Sequence, residues 1–232
     1  MDTYIGMWGW IWVVAFLVLF ISIGVWGMKK TNNDEDFAVA RGAYGPITLA
    51  FAFAATIASG ATFMSVPGMA YSKGFAAIWY PATYPIAIYL GMILAIKLIK
   101  RAGDKFRSNS LPEFLGQRYN SNFLRIAFAL VSILLVYYIA AQIVAAATIF
   151  EVLLGLNYQH GILASVAVIA LYITMGGSHA DIMTDGIQGV MMVLIALIIG
   201  VIFFMGVGFE GTGPSLINDA LVKQDPSLGW DN

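Results

Sequence analysis

The stretch 46-PITLAFAFAATIASGATFMSVPGMAYS-72 decides the fold of this chain. It is long enough to cross a bilayer, and no charged residue lies between Arg41 and Lys73. Its polar and helix-weakening residues are Thr48, Thr56, Ser59, Gly60, Thr62, Ser65, Pro67 and Gly68. Such residues cost free energy when they face lipid unpaired. We therefore predict a discontinuous membrane helix beside a polar cavity, where carbonyls freed from the helical pattern can bind a cation.

The composition is that of an integral membrane protein. Of the 232 residues, 60% are hydrophobic and 11% are charged, and the mean hydropathy is +0.82. A soluble domain usually carries about 25% charged residues. The net charge of −1, with no basic cluster interleaved with aromatic residues, gives no reason to expect a nucleic-acid partner.

The sequence offers little for catalysis. The chain has no Cys, which excludes disulfides and thiolate metal sites within it. His160 and His179 have no partner at metal-ligand spacing, so we interpret both as loop or interface residues. No nucleophile elbow, histidine metal pair or phosphate-binding glycine loop is present, and an enzyme is not expected.

Six apolar stretches set the predicted layout. They cover about 7–28, 46–72, 76–96, 123–150, 161–175 and 186–207, of which the fifth is short. The predicted regions are a leading helix in 1–28, a cytoplasmic link in 29–45, a helical core in 46–207 and an extracytoplasmic loop or tail in 208–232. With the N-terminus outside, Lys73 and Lys223 are the only two of the twelve Lys and Arg residues that fall outside. Cytoplasmic loops are enriched in these residues, which favours this orientation.

Two carboxylates precede the sixth stretch, in a predicted loop that reads GGSHADIMTD. Asp181 and Asp185 at the membrane edge would attract a cation. Alternatively, Thr184 or Asp185 would cap the following helix. The sequence leaves both interpretations open, and it leaves Gly176-Gly177 open as either a helix stop or a hinge.

Other polar residues have ordinary interpretations beside functional ones. Glu113, in LPEFLGQR, favours a short cytoplasmic helix held by local charge pairs. Tyr137, Tyr138, Gln142 and Thr148 form the polar part of the fourth stretch. They would either face a cavity or let two helices approach closely.

Four phrases together resemble the sodium:solute symporter family, which includes carriers of sugars, proline, pantothenate and monocarboxylates. They are DEDFAVARG before the second stretch, SVPGMAYSKG at its end, LPEFLGQRYNS in the third loop and GGSHADIMTDGIQGVMM entering the sixth. The resemblance covers about 35–205. It implies an all-α, LeuT-like fold of two inverted five-helix repeats after one extra helix, with sodium and solute bound at mid-membrane. The six predicted spans match the extra helix and the first repeat, 46–207.

The resemblance also implies roles for individual residues. Ala55 and Ala58 correspond to positions whose main-chain carbonyls bind the coupling sodium, and Asp185 to an aspartate on the cytoplasmic sodium path. Candidate solute contacts on the broken helix are Ser59 and Thr62.

Two further candidate solute contacts, Tyr138 and Gln142, lie on the fourth span. Thr62 differs from the longer polar residue of the sugar carriers, and Ile57 from the acidic residue of the proline carriers. The resemblance therefore favours neither of those two solutes.

We expect sodium-coupled symport of a small organic solute, such as a carboxylate, with Na⁺ as coupling ion and no other cofactor. We expect a multi-pass protein of the cytoplasmic membrane, with the extracytoplasmic N-terminus that the distribution of Lys and Arg favours. Family members are roughly twice as long, so we expect an N-terminal half, from a fragment, a split gene or a truncated product, that lacks the second repeat. The alternative is a non-transporting membrane component, either a sensor input domain or a subunit that needs a partner.

Overall fold

A computed structural model describes residues 3–208 and 210–224, and these are helical apart from short turns. A π turn, Ala61–Ser65, and a 3₁₀ turn, Gly74–Ile78, flank the helix Val66–Lys73. The α-helices are α1 Thr3–Lys30, α2 Asp34–Val39, α3 Pro46–Ile57, α4 Val66–Lys73, α5 Trp79–Phe106, α6 Leu111–Tyr119, α7 Asn122–Ile133, α8 Leu135–Leu154, α9 Tyr158–Met205 and α10 Gly213–Gln224.

The predicted all-α membrane fold is confirmed. Within the described part of the chain, four helical segments are long and apolar enough to cross a bilayer, and a bent pair, Pro46–Ile57 with Thr62–Lys73, makes a fifth if it counts as one span. The four are Gly6–Lys30, Ala76–Phe106, Asn122–Leu154 and Tyr158–Met205. Large apolar side chains on them are exposed, which suits a surface in contact with lipid. The count of six spans and the inverted-repeat fold stay predictions.

Helix α9 departs most from the prediction. The prediction of a loop at 176–185 is wrong, because residues 178–185 are helical. Helix α9 extends from Tyr158 to Met205, with non-helical backbone angles at Gly177 (φ 52°, ψ −143°). Thr184 and Asp185 therefore lie inside a helix and cap nothing. The Thr184 hydroxyl instead donates to the Ala180 carbonyl at 2.7 Å, which satisfies it within the helix. Two helical halves of α9 therefore meet at a kink at Gly177.

The length of α9 bears on the number of spans. The kink at Gly177 divides its 48 residues into 19 before it and 28 after it, which extend about 28 Å and about 42 Å at ~1.5 Å each, so either half can cross the ~30 Å of bilayer hydrocarbon. Two crossings divided near Gly177 remain the prediction for this region.

Helix α1 packs on α9 at backbone distance. A methyl group added at Gly27 would lie 3.0 Å from the Gly176 Cα and 3.0 Å from the Ala180 nitrogen, and one added at Gly176 would lie 3.0 Å from the Gly24 carbonyl oxygen. Small residues allow this approach, as in other membrane helix pairs. Ala180 beneath the contact is fully buried, so the core of the described residues includes this junction.

The predicted link, 29–45, contains the short helix α2. Asn33 begins it, since its side chain accepts a hydrogen bond from the Asp36 amide at 2.8 Å. Arg41 follows, pairing with Glu35 at 2.6 Å and donating to the Ser108 carbonyl at 3.0 Å. This contact ties the link to the end of α5.

The predicted basic loop, 97–122, is mostly helical, since α5 continues to Phe106 and α6 follows. The short helix predicted around Glu113 is present, but among the described residues no ion pair of Glu113 holds it as predicted. Its start is fixed by hydrogen bonds to backbone amides: the Ser110 hydroxyl accepts from the Glu113 amide at 3.3 Å, and the Glu113 carboxylate accepts from the Asn109 amide at 2.8 Å.

The region predicted as a loop or tail, 208–232, is also partly helical. Helix α10 replaces the predicted loop over Gly213–Gln224. The Thr212 hydroxyl accepts from the Ser215 amide at 3.4 Å at the start of α10. An open apolar cavity of about 310 Å³ is lined by Phe203 of α9 and by Gly213, Leu216, Ile217 and Ala220 of α10. Within the predicted regions, Met1, Asp2, Phe209 and 225–232 lie outside the described residues.

Candidate functional site

The break predicted in the second span is present. Helix α3 ends at Ile57, the π turn begins at Ala61, and the two arms of the span meet at 53°. Ala58, between them, has φ −78° and ψ 75°, which is outside the helical region. A π turn beside a break is a frequent feature of functional sites in helices.

Backbone amides at the break turn away from their helical acceptors. The Ser59 amide donates to the Ile57 carbonyl at 2.9 Å, and the Thr62 amide donates to the Ser59 carbonyl at 2.9 Å. In a continuous helix these amides would bond to the carbonyls of Ala55 and Ala58. The two carbonyls that the sequence suggested as cation ligands therefore lose their helical donors.

A third amide leaves its helix through a side chain of α8. The Gly60 amide donates to Gln142 Oε1 at 2.8 Å, in place of the Thr56 carbonyl. A methyl group at Gly60 would lie 2.9 Å from Gln142 Oε1 and 3.0 Å from the Ala145 Cβ. Only glycine lets α8 come this close to the break.

Asp185 faces α3 from the second half of α9. The Thr56 hydroxyl lies 3.2 Å from Asp185 Oδ2 and 3.0 Å from the Ala52 carbonyl oxygen. The two helices approach closely because Gly189, one turn further along α9, is buried against α3, and a methyl group there would overlap the Phe51 carbonyl. Thr56 thus links the broken span to the carboxylate.

An open cavity of about 660 Å³ lies between α3, α5 and α9. Asp181 and Asp185 lie one helical turn apart on α9, and both line this cavity together with Thr56. Phe53 of α3 and Tyr89 of α5 also line the cavity, with their ring centroids 6.4 Å apart. Carboxylate, hydroxyl and carbonyl oxygens are the groups that bind hard cations, so this wall can attract one.

The structure brings some of the predicted solute contacts together and not others. Ser59, Thr62 and Gln142 meet at the break through the backbone and side-chain bonds described above. Tyr138 lies one turn before Gln142 on α8 with 55% of its surface exposed. Within 3–208 and 210–224, no hydrogen bond joins Tyr138 to the break.

Two contacts escaped the sequence analysis. Thr56 was one polar residue among several in its stretch, and only the crossing of α3 with α9 pairs it with Asp185. His179 is 2% exposed and its Nδ1 lies 2.9 Å from the Tyr44 hydroxyl. Burial raises the pKa of the Tyr44 phenol, which keeps it protonated. The interface interpretation therefore holds for His179.

Known proteins resemble the chain over most of its length. An osmoregulated proline transporter, OpuE, of Bacillus subtilis (strain 168) is 27% identical over 206 residues, which is 86% of this chain and 41% of the transporter. Sodium/proline symporter 2 of Staphylococcus saprophyticus is 27% identical over 200 residues, 83% of this chain and 39% of the symporter. A sodium/proline symporter of Staphylococcus aureus (strain JH9) is 27% identical over 210 residues, 87% of this chain and 40% of the symporter.

The chain spans about two fifths of the length of these curated relatives. No solved structure matches it. The sequence profile described as the sodium:solute symporter family matches residues 37–227. That match includes the broken span, the α8 contact and the whole of α9, and the chain belongs to the sodium:solute symporter family.

Proposed function

We propose that this chain forms the sodium-binding part of a symporter, which couples inward sodium flow to the uptake of a small organic solute. The break in α3 is the observation that carries the proposal. The carbonyls of Ala55, Thr56 and Ala58 lose their helical donors there, and the adjoining helix α9 presents a carboxylate to Thr56. Membership of the family supports the same function.

In this proposal the carbonyl oxygens of Ala55 and Ala58 bind sodium. Carbonyl dipoles at an unwound helix can replace the water that a sodium ion sheds on entering the membrane. Asp185, with Thr56, forms the cytoplasmic path along which the ion arrives or leaves. The sodium gradient supplies the driving force, to which the membrane potential adds about 2.3 kcal/mol per charge per 100 mV.

The solute binds beside the sodium ion, with Ser59, Thr62 and Tyr138 as the proposed contacts, whereas the side-chain oxygen of Gln142 accepts a hydrogen bond from the Gly60 amide. The helical arm that starts after the break directs its N-terminal end toward this place. The positive end of its dipole favours a carboxylate. The proposed class is therefore a small solute that carries a carboxylate. Proline should be tested first, because it is named for the relatives, although Ile57 argued against it.

The proposed setting is the cytoplasmic membrane, with the N-terminus outside. The leading helix occupies 1–28, the link 29–45 and the first five-helix repeat 46–207. A second repeat would complete the transporter, because alternating access requires one bundle to move against another around a shared site.

Uptake in membrane vesicles tests the proposal. The protein is expressed both as this chain and from its complete reading frame, and labelled amino acids, organic acids and sugars are offered with an inward gradient of sodium or of potassium. We expect uptake of one carboxylate solute by the complete form under the sodium gradient. Equal uptake under both gradients would contradict sodium coupling. Uptake of no solute would favour a sensor input domain or a subunit that needs a partner.

A further inference from the structure

We propose that Gln142 is a positioning residue that holds the break in α3 open for sodium. This inference rests on the proposed sodium site and deepens it. The sequence placed Gln142 among the solute contacts, whereas its side-chain oxygen accepts a hydrogen bond from the Gly60 amide at 2.8 Å. That bond reaches from α8 to the centre of the break.

The hydrogen bonds around Gly60 show why this contact matters. On either side, the amides of Ser59 and Thr62 find acceptors within their own segment, at 2.9 Å in both cases. The Gly60 amide between them takes its acceptor from another helix. It is the one of the three amides whose diversion depends on a side chain elsewhere.

Removing that acceptor leaves the amide two alternatives. It can stay unpaired in a low-dielectric environment, which costs free energy. Otherwise it can return to the Thr56 carbonyl and restore the helical pattern, in which the Ala55 and Ala58 carbonyls regain their donors. Either alternative disfavours the open break, so sodium would bind more weakly.

The surrounding packing supports a dedicated contact. Gly60 and Ala145 are small, and a methyl group at Gly60 would lie 2.9 Å from Gln142 Oε1 and 3.0 Å from the Ala145 Cβ. Gln142 itself is half-buried at this contact. A side chain at position 60 would therefore have to displace Gln142 and Ala145 from the positions in which the amide and the side-chain oxygen meet.

Equilibrium binding of radioactive sodium to the purified protein, expressed from its complete reading frame, tests the role. Gln142→Met keeps the length of the side chain but offers a sulfur that accepts only weakly, and Gln142→Asn keeps the amide on a chain one methylene shorter. In both variants we expect the half-saturating sodium concentration to rise about tenfold. Gln142→Glu keeps an oxygen at the same reach and loses the NH₂ donors, and it should bind sodium at least as well as the unaltered protein.

Thr148→Val is the matched control. Thr148 lies on the same helix, and its hydroxyl donates to the Val144 carbonyl of that helix at 2.9 Å, while no hydrogen bond within the described residues joins it to the break. Sodium binding should not change in this variant. Solute uptake supplies the second readout: at saturating sodium, Gln142→Met should retain the KM for the solute.

Two results would overturn the proposal. One is unchanged sodium binding in both Gln142→Met and Gln142→Asn. The other is a raised solute KM at saturating sodium, with Gln142→Glu as impaired as Gln142→Met. That pattern would assign the NH₂ group to the solute.

A distance measurement keeps the test independent of the proposed function. If the unaltered protein binds no sodium, the proposed function fails, and spin labels at the exposed positions Ile47 and Tyr71 still report the bend. A continuous helix would separate these backbone positions by about 36 Å, and the bent span by less. Gln142→Met should shift the distances to longer values, and an unchanged distribution would contradict the positioning role.

Discussion

At the scale of single residues, the contact between Thr56 and Asp185 explains why the carboxylate points to α3. The Thr56 hydroxyl lies 3.2 Å from Asp185 Oδ2, and both residues line the cavity between α3, α5 and α9. A carboxylate held by a hydroxyl at a membrane cavity attracts cations and orients its oxygens before an ion arrives. The pair is therefore the best place to test the proposed sodium path.

Asp185→Asn should weaken sodium binding more than it disturbs the fold. The amide keeps the contact with Thr56 but removes the negative charge, so the half-saturating sodium concentration for uptake should rise about tenfold or more. Asp104→Asn is the control, because Asp104 pairs with Lys100 at 3.2 Å on an exposed surface of α5, where ion pairs contribute little. If uptake depended on sodium concentration equally in the two variants, Asp185 would not be part of the sodium path.

Gly189 should tolerate no side chain. A methyl group there would overlap the Phe51 carbonyl. Gly189→Ala should therefore reduce the free energy of unfolding by about 1–3 kcal/mol and lower the unfolding temperature. Gly200→Ala lies on the same helix with nothing within 4 Å of the added methyl group. It should leave the temperature unchanged or raise it, since alanine favours a helix. Thermal unfolding in lipid nanodiscs, followed by tryptophan fluorescence, compares them, and equal temperatures would mean that α3 and α9 are not in close contact here.

At the scale of helices, local sequence predicted the break in α3 but not the course of α9. Ser59, Gly60 and Pro67 interrupt an apolar stretch, and these residue types carry their own signal. The loop expected around Asp185 failed because polar residues suggested exposure, whereas Ser178 bonds to the Ala38 carbonyl at 2.6 Å and Thr184 to its own helix. Both hydroxyl groups therefore have a hydrogen-bond acceptor while they lie in a helix. The acceptor of Ser178 belongs to another segment, so that hydrogen bond depends on tertiary packing.

The candidate site divides in the same way. The diverted carbonyls of Ala55 and Ala58 follow from the break that the sequence predicted. The pairing of Thr56 with Asp185, and of Gln142 with Gly60, joins residues from different helices. No local pattern encodes which helices cross, so these contacts required the structure.

The packing of α1 on α9 leads to a prediction about the leading helix. Gly27→Leu would place a side chain against the backbone of Gly176 and Ala180, at a point where even a methyl group would lie 3.0 Å away. In a cysteine-free background, spin labels at the exposed positions Met28 and Val193 should then give longer and broader distances. Gly6→Leu, with nothing within 4 Å of an added methyl group, should leave those distances unchanged. Unchanged distances in Gly27→Leu would contradict the close contact.

At the scale of the whole molecule, the number of crossings can be decided by labelling. Six spans with the N-terminus outside place Glu210 outside the cell and Asn109 inside. A cysteine at Glu210 should therefore react with a membrane-impermeant maleimide on intact cells, and one at Asn109 only after permeabilisation. If α9 crosses the membrane once, both positions lie inside and neither reacts on intact cells, which would contradict the six-span layout.

The central claim is that sodium and solute move together through the protein. Purified protein from the complete reading frame, reconstituted into liposomes, allows the inward fluxes of radioactive sodium and of labelled solute to be measured at once. We predict that the solute stimulates sodium entry, that sodium stimulates solute entry, and that Asp185→Asn weakens both effects. Two results would contradict the account. One is solute entry at the same rate when choline replaces sodium, and the other is a rate of sodium entry that does not change when solute is added.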